Sequence, residues 1–296
     1  MKPKKKKPET FDLVNGAIMV LMMLVMLFPF WYCVVGSFND GTDYLRGGVY
    51  LWPREFVLSN YKAVFRDPSI FNAFKVTIAK SLLGTFTSVL VTALAAYAMT
   101  RPALKGKRFY APFMTLTMYF GGGLIPYFVV IKDLGLYDSF WVYIIPGLFS
   151  VWNMIILRSF FAELPPELIE AARLDGAGEY RIFFQIVLPL SKAVLATIVL
   201  FSLVGHWNAY FDSMMYTSAP ELQTIQLFLK KMITDPGTAS SLASSAAMAI
   251  PAEARKVTPQ TIKLAAMVVT SLPIICVYPF LQKYFVKGTM VGSVKG

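Results

Sequence analysis

Six stretches of this chain run the length of a bilayer crossing without one Asp, Glu, Lys or Arg: Leu13–Asn39, Ser81–Thr100, Phe109–Ile131, Ser139–Leu157, Ala193–Phe211 and Leu264–Gln282. A spanning helix needs roughly 20 apolar residues, and in lipid its backbone polar groups must pair within the segment. The runs predict an all-α polytopic membrane protein with six transmembrane helices and both termini on one side. Composition agrees: of 296 residues 56% are apolar and 15% charged, too apolar a balance for an ordinary soluble domain. No internal repeat interrupts the pattern.

The formal net charge of +11 raises the question of a nucleic-acid partner, and its placement answers it. With the amino terminus inside, the cytoplasmic pieces 1–12, 101–108, 158–192 and 283–296 hold 16 Lys and Arg in 69 residues, against 12 in 100 for 40–80, 132–138 and 212–263. Arg101, Lys105, Lys107 and Arg108 crowd one short loop, while Lys132 stands alone in another. This is the positive-inside bias, which sets orientation and calls for anionic lipid rather than nucleic acid. The amino-terminal KPKKKK run precedes an apolar stretch too long for a cleaved signal, so an uncleaved first span is expected. Cys33 and Cys276 fall inside spans, at no spacing that suggests a disulfide or a metal site.

Several local features bear on function. Lys75 and Lys80 fall at the outer end of the second span, either snorkelling to the interface or facing a partner. Small residues in that span (Gly84, Ala93, Ala95, Ala96) allow close helix packing. Gly121-Gly122-Gly123 and Pro126 loosen the third span, as a gate or as a packing kink; irregular backbone at such depth needs protein or a water-filled cavity beside it. The fifth span ends in His206-Trp207-Asn208-Ala209-Tyr210-Phe211-Asp212. Aromatic faces beside hydrogen-bonding groups suit a sugar path, though an interfacial belt uses the same residue types. Candidate path residues are Trp207, Asn208 and Tyr210, with Asn153 and Tyr119; His206 reads as a satisfied helix residue. Beyond, Gln223 to Lys230 predicts a helix, and Thr238–Ala249 a small, polar loop without features, of the length that is functional or disordered.

The most distinctive stretch separates the fourth and fifth runs: ELPPELIEAARLDGAGEYRIFFQIVLP, Glu163–Pro189. Pro165 and Pro166 open a helix whose apolar face is Leu168, Ile169 and Ala172 and whose polar face is Glu167, Glu170 and Arg173. Gly176 follows as a left-handed helix end would require. A second amphipathic piece carrying Tyr180, Phe183, Phe184 and Val187 stops at Pro189.

Glu170-Ala171-Ala172, Gly176, Ile186 and Leu188-Pro189 meet every fixed position of EAA-x3-G-x9-I-x-LP, and the segment resembles the cytoplasmic loop of ABC importer permeases. The resemblance is strongest to the carbohydrate branch containing the smaller maltose permease subunit, through WNAYFD and the closing YFVKGTMVGSVKG. It implies a type I importer permease architecture with a cytoplasmic coupling helix, in a bacterial inner or plasma membrane, both termini cytoplasmic. The implied divisions are a basic tail 1–12, the first helix and outer loop 13–73, a permease core 74–285 and a tail 286–296. Glu170, Ala171, Ala172, Asp175 and Gly176 would dock the ATPase. Residues 235–250, with Pro236, Gly237, Thr238, Ser240 and Ser241, would reach a solute-binding protein. Implied partners are a second permease in a heterodimer, two ATPase subunits holding ATP and Mg, an extracytoplasmic binding protein of lipoprotein type, and a sugar, with Gly121 to Pro126 suggesting oligosaccharides.

This chain has no G-x-x-x-x-G-K-[ST] phosphate loop, no H-x-x-x-H, no C-x-x-C and no nucleophile elbow. No catalytic residue and no cofactor of its own are expected. Acidic groups are missing from mid-span, where ion-coupled secondary transporters place them. An importer permease for a non-sugar solute remains the nearest alternative; a secondary transporter and a scaffold without transport are more distant ones.

Overall fold

The computed structural model describes residues 10–248 and 257–292. In chain order the helices are α1 (Thr10–Ser37), α2 (Gly41–Leu45), α3 (Ser59–Arg66), α4 (Pro68–Thr100), α5 (Lys107–Tyr119), α6 (Leu124–Asp133), α7 (Val151–Ala162), α8 (Pro166–Leu174), α9 (Glu179–Ile182), α10 (Leu188–Leu190), α11 (Lys192–Asn208), α12 (Phe211–Tyr216), α13 (Ile225–Thr234), α14 (Pro236–Met248) and α15 (Pro259–Gly292). Short 3-10 turns cover Phe140–Tyr143, Ile145–Gly147 and Pro220–Leu222, and one π turn covers Phe183–Val187.

Three of these helices are long and apolar enough to cross a membrane, and the number reaches six when each of three bent pairs counts as one crossing. The pairs are α5 with α6, bent by 116°, the 3-10 turns with α7, bent by 45°, and the α9–α10 piece with α11, bent by 86°. The first bend falls on the expected glycines, where Gly123 has φ +83°. It is far sharper than a kink. The fourth run begins as 3-10 turns rather than regular helix because Pro146 supplies no N–H there.

Contacts divide the chain into two units, Met1–Pro68 with Lys231–Ser271, and Ser69–Lys230 with Leu272–Gly296. In the first, a buried Asn60 organises the polar interior. Its amide donates to the Ser37 and Asn39 carbonyls at 2.9 Å each, and its oxygen accepts from Thr261 Oγ1 at 2.8 Å. Those bonds tie the end of α1, α3 and α15 together. Gly36 lets α15 approach, since a Cβ there would lie 2.5 Å from Leu264 Cδ1. Arg54 reaches Asp43 at 2.9 Å, so the loop between α1 and α3 is closed by charge as well as by backbone. The earlier half of α1 stays exposed and apolar, as suits a helix bathed in lipid.

The segment expected to be a featureless loop forms α14. Asp235 caps it, accepting from Gly237 N at 2.9 Å and Thr238 Oγ1 at 2.6 Å, with Pro236 at the first helical position. Ala239 and Ala243, four residues apart, are buried, and α14 packs on α3. The apolar stripe is one methyl deep, which is why periodicity in the sequence did not reveal it. Residues 249 and 250 lie outside the described residues, as do Met1–Glu9 of the basic tail and the last four residues.

In the second unit two cores form. One joins Ala93, Ala96 and Tyr97 of α4 to Leu157 and Phe161 of α7, Ile169 of α8, and Ile182, Phe183 and Val187. The other gathers Val76, Ile131, Leu136, Val142, Tyr143, Ile144 and Tyr216. The alanines of α4 do what small residues allow, bringing neighbouring backbones close.

Candidate functional site

The Glu163–Pro189 segment folds as helix, turn, helix. Gly176 takes φ +79°. Its N–H donates to Arg173 O at 3.0 Å, and Ala177 N–H donates to Ala172 O at 2.9 Å. Together these bonds make a Schellman closure, which satisfies the last carbonyls of α8 without help from any side chain. A Cβ at Gly176 would meet nothing within 4 Å, so the glycine is there for its backbone and not for space.

Ile169 anchors α8, 7% exposed against Ile182, Phe183 and the α4 alanines. Ala172 is half-buried beside it, while Glu170, Ala171, Asp175 and Gly176 are exposed. Past the turn, Glu179 bridges two elements. One oxygen accepts from Tyr97 Oη at 2.6 Å and the other from Arg173 Nη2 at 2.5 Å. Arg101 lies over the Tyr97 ring, 4.5 Å from its centre. The hairpin is thereby held to the end of α4. Of the second piece's apolar residues, Phe183 and Val187 are buried but Tyr180 and Phe184 face outward. Leu174 is 89% exposed and Tyr180 76%. Sequence reading took Tyr180 for part of an apolar face and passed over Leu174 and Tyr97, although a leucine directly before Asp-Gly at a helix end is a visible signal.

The end of α11 forms a second polar region. Trp207 is not open to a path: it is 5% exposed, with its ring 6.5 Å from that of Phe74. Indole area is large, and packing it against α4 is worth more than leaving it bare. Asn208 is exposed, and its Oδ1 accepts from Gln226 Nε2 at 3.5 Å. Tyr210 holds the Lys230 ammonium 4.0 Å from its ring centre. Tyr119, 79% exposed at the end of α5, and Asn153, in the first turn of α7, belong to other elements.

Lys80 also departs from expectation. It neither snorkels nor faces out: it is 1% exposed, its Nζ donates to Ala209 O at 2.6 Å, and it lies 5.1 Å from the Tyr143 ring centre. Its charge is attracted by Asp212. Ala209 is where α11 stops, so an ammonium from α4 caps that helix end. His206, one turn earlier, hydrogen-bonds the Gly84 backbone. A Cβ at Gly84 would lie 2.6 Å from His206 Cε1, so the imidazole occupies the space a side chain would take. That is the satisfied histidine the sequence predicts. The start of α13 is fixed by Ile225 N–H donating to Thr77 Oγ1 at 2.9 Å. Of the five residues expected to meet a binding protein, Pro236, Gly237, Ser240 and Ser241 are exposed on α14 and Thr238 is half-buried.

Comparison with known proteins covers nearly the whole chain. Protein LplC of Bacillus subtilis is 35% identical over 98% of this chain and 97% of its own length. The polygalacturonan/rhamnogalacturonan transport system permease protein YtcP of the same organism is 35% identical over 98% of this chain and all of its own. The sn-glycerol-3-phosphate transport system permease protein UgpE of Brucella abortus is 27% identical over 94% and 95%. Among solved structures, a chain of a bacterial ABC transporter involved in import of the acidic polysaccharide alginate superposes with TM-score 0.86 at 31% identity, covering 95% of this chain and all of that one. The fold is that of a type I ABC importer permease. Residues 13–291 match one family profile, and the chain belongs to the binding-protein-dependent transport system inner membrane components.

Proposed function

We propose that this chain forms half of the path of an ATP-driven sugar importer and is worked by ATPase subunits that are separate chains. The observation that carries the reading is the hairpin. It closes on itself through backbone bonds, is tied to α4 through Glu179 and Tyr97, and leaves Leu174 and Tyr180 bare. Exposed apolar side chains on a rigid mount are what a docking knob requires. Glu170, Ala171, Ala172, Asp175 and Gly176 form the surface around it, with both termini on that cytoplasmic side. Closing of the ATPase dimer on ATP and Mg would draw two such hairpins together, and rigid-body motion of the helices would open the cavity outward.

A second permease would complete the path in a heterodimer. Asn208, Tyr210, Tyr119 and Asn153 would face it, with Trp207 supporting from beneath. The exposed side of α14, around Pro236, Gly237, Thr238, Ser240 and Ser241, would meet an extracytoplasmic binding protein. Sugar as cargo is supported by relatives whose names specify polygalacturonan and alginate. A phosphorylated polyol is the second reading, favoured by UgpE.

The test is reconstitution of this chain in liposomes with its second permease, the ATPase and the sugar-loaded binding protein. Oligosaccharide uptake that requires all four components and ATP is the expected result. Uptake by this chain alone, driven by an ion gradient, would overturn the reading.

A further inference from the structure

A groove of about 590 Å³ runs beside the last turns of α4. Along that helix its lining begins with Leu94, Ala95 and Ala98 and finishes with Arg101, a rise of about 10 Å. Leu104 and Phe183 add to the apolar wall. The groove is therefore apolar along its length and cationic at one end.

Arg101 is held in place before anything binds. Its Nε and Nη2 donate to Thr100 Oγ1 at 3.1 and 2.9 Å, and its guanidinium lies 4.5 Å from the centre of the Tyr97 ring. A guanidinium has more N–H groups than those two bonds use. The acid in the lining, Glu179, accepts from Tyr97 Oη and Arg173 Nη2, while Arg101 acts on it through space. The next residues, Pro102 to Arg108, add Lys105, Lys107 and Arg108 and no acid.

We propose that the groove seats an anionic phospholipid of the cytoplasmic leaflet, its phosphate on Arg101 and an acyl chain along Leu94, Ala95 and Ala98. The choice of leaflet follows from the cytoplasmic placing of the hairpin and rests on it. Apolar surface at the end of a spanning helix is covered by lipid or by protein, because contact with water is unfavourable. An acyl chain exchanges one hydrocarbon setting for another, so it gains little there and the head must decide the affinity. A planar guanidinium matches phosphate oxygens in paired hydrogen bonds. Anionic heads are concentrated at the cytoplasmic surface, where the basic 101–108 segment lies. A partner helix could cover the same wall, but it would need an acid at one fixed register to answer Arg101. An anionic lipid carries its charge at the required end. Because Arg101 lies on the Tyr97 ring and Tyr97 holds Glu179, a bound head braces the mount of the hairpin.

The test uses the complete assembly, with its second permease and ATPase subunits, exchanged into mixtures of phosphatidylglycerol and phosphatidylcholine. Native mass spectrometry reads the ratio of the two lipids retained, which should favour phosphatidylglycerol in the parent. Arg101→Gln should lower the ratio about tenfold, the scale of a charge-assisted hydrogen bond. Arg101→Lys should recover part of it. Lys105→Gln removes an exposed cation outside the lining and should lower the ratio no more than about twofold. Ala98→Phe fills the groove and should reduce retention of both lipids. Co-purification of the ATPase confirms that each variant folds. Amide exchange in α9 should be slower in phosphatidylglycerol than in phosphatidylcholine for the parent, and alike in both for Arg101→Gln.

An unchanged ratio in Arg101→Gln, or one lowered equally by Lys105→Gln, overturns the site and leaves the import reading untouched, since no uptake is measured. Full lipid retention in Ala98→Phe overturns it too. So does a short bismaleimide cross-link from Ala98→Cys to another subunit, in a Cys33→Ser, Cys276→Ser background, because protein would then occupy the groove. Alike α9 exchange in the parent overturns the brace. Labelling of Lys105→Cys in that background by a membrane-impermeant maleimide from the extracytoplasmic side would overturn the leaflet and the hairpin's orientation together.

Discussion

Two helix ends in this molecule are closed in opposite ways. At Gly176 the chain turns back on itself, and the carbonyls of α8 are met by the N–H groups of the next residues. At Ala209 the carbonyl is met by an ammonium carried on α4, 129 positions away in sequence. The first closure is local, solvent-exposed and made entirely of backbone. The second is buried, charged and borrowed from another helix. A local closure keeps its shape while its surroundings move, which suits a part that must transmit force. A borrowed one holds two helices in register, which suits a part that must keep a polar cluster in place.

The sharpest way to break this contrast is to remove the borrowed group. Lys80→Met keeps the stem but leaves the Ala209 carbonyl and Asp212 without their cation, and should lower stability by about 3 kcal/mol. Thermal unfolding in detergent would read it, and a variant as stable as the parent would show that the cap is incidental.

At the other end, Gly176→Val meets no clash, so its cost is confined to a branched residue at positive φ, about 1–2 kcal/mol. We expect a folded complex whose ATPase still turns over but whose uptake falls about tenfold, with Gly176→Asn intermediate. Normal uptake in the valine variant would deny the hairpin its coupling role. Tyr97→Phe takes away one hydrogen bond to Glu179 and should cost about 1 kcal/mol, seen as faster hydrogen exchange in α9 without loss of the fold.

The smallest effect concerns Asp138, whose Oδ1 accepts from Ala219 N and Ser218 N at 2.8 Å each. Those backbone donors hold its carboxyl below the usual carboxylate range. A depressed folded value means stability that is present above the unfolded carboxylate pKa and lost as pH falls through the folded one. Asp138→Asn should flatten the acid limb of the stability curve and leave neutral pH nearly unchanged. An acid limb of unaltered slope would assign the pH response elsewhere.

The same contrast explains what was legible in the sequence. Length and lack of charge revealed the apolar runs, because a bilayer imposes a count that no packing detail can alter. Gly176 was legible because a Schellman turn writes its requirement into the residues beside it. Lys80 was not: a lysine near a span end looks like a snorkelling one, and only the position of Ala209 shows what it caps. Trp207 was misread for a related reason, since an indole beside an asparagine serves a sugar path or a helix contact equally well until Phe74 is located. The helix α14 was hidden because its buried stripe is alanine, and alanine carries little hydrophobic signal. Leu174 was passed over because a surface leucine is ordinary until the mount beneath it is known to be rigid, and Tyr180 was read into an apolar face that only Phe183 and Val187 bury.

The contact between Gly84 and His206 constrains how such a chain can evolve. Because the imidazole sits where a side chain at position 84 would go, the two positions are epistatic. A lineage that first shrinks the histidine is free to acquire alanine or serine at 84 afterwards. The reverse order passes through an intermediate with two groups competing for one volume. Descendants with a larger residue at 84 should therefore carry a smaller or displaced side chain at 206.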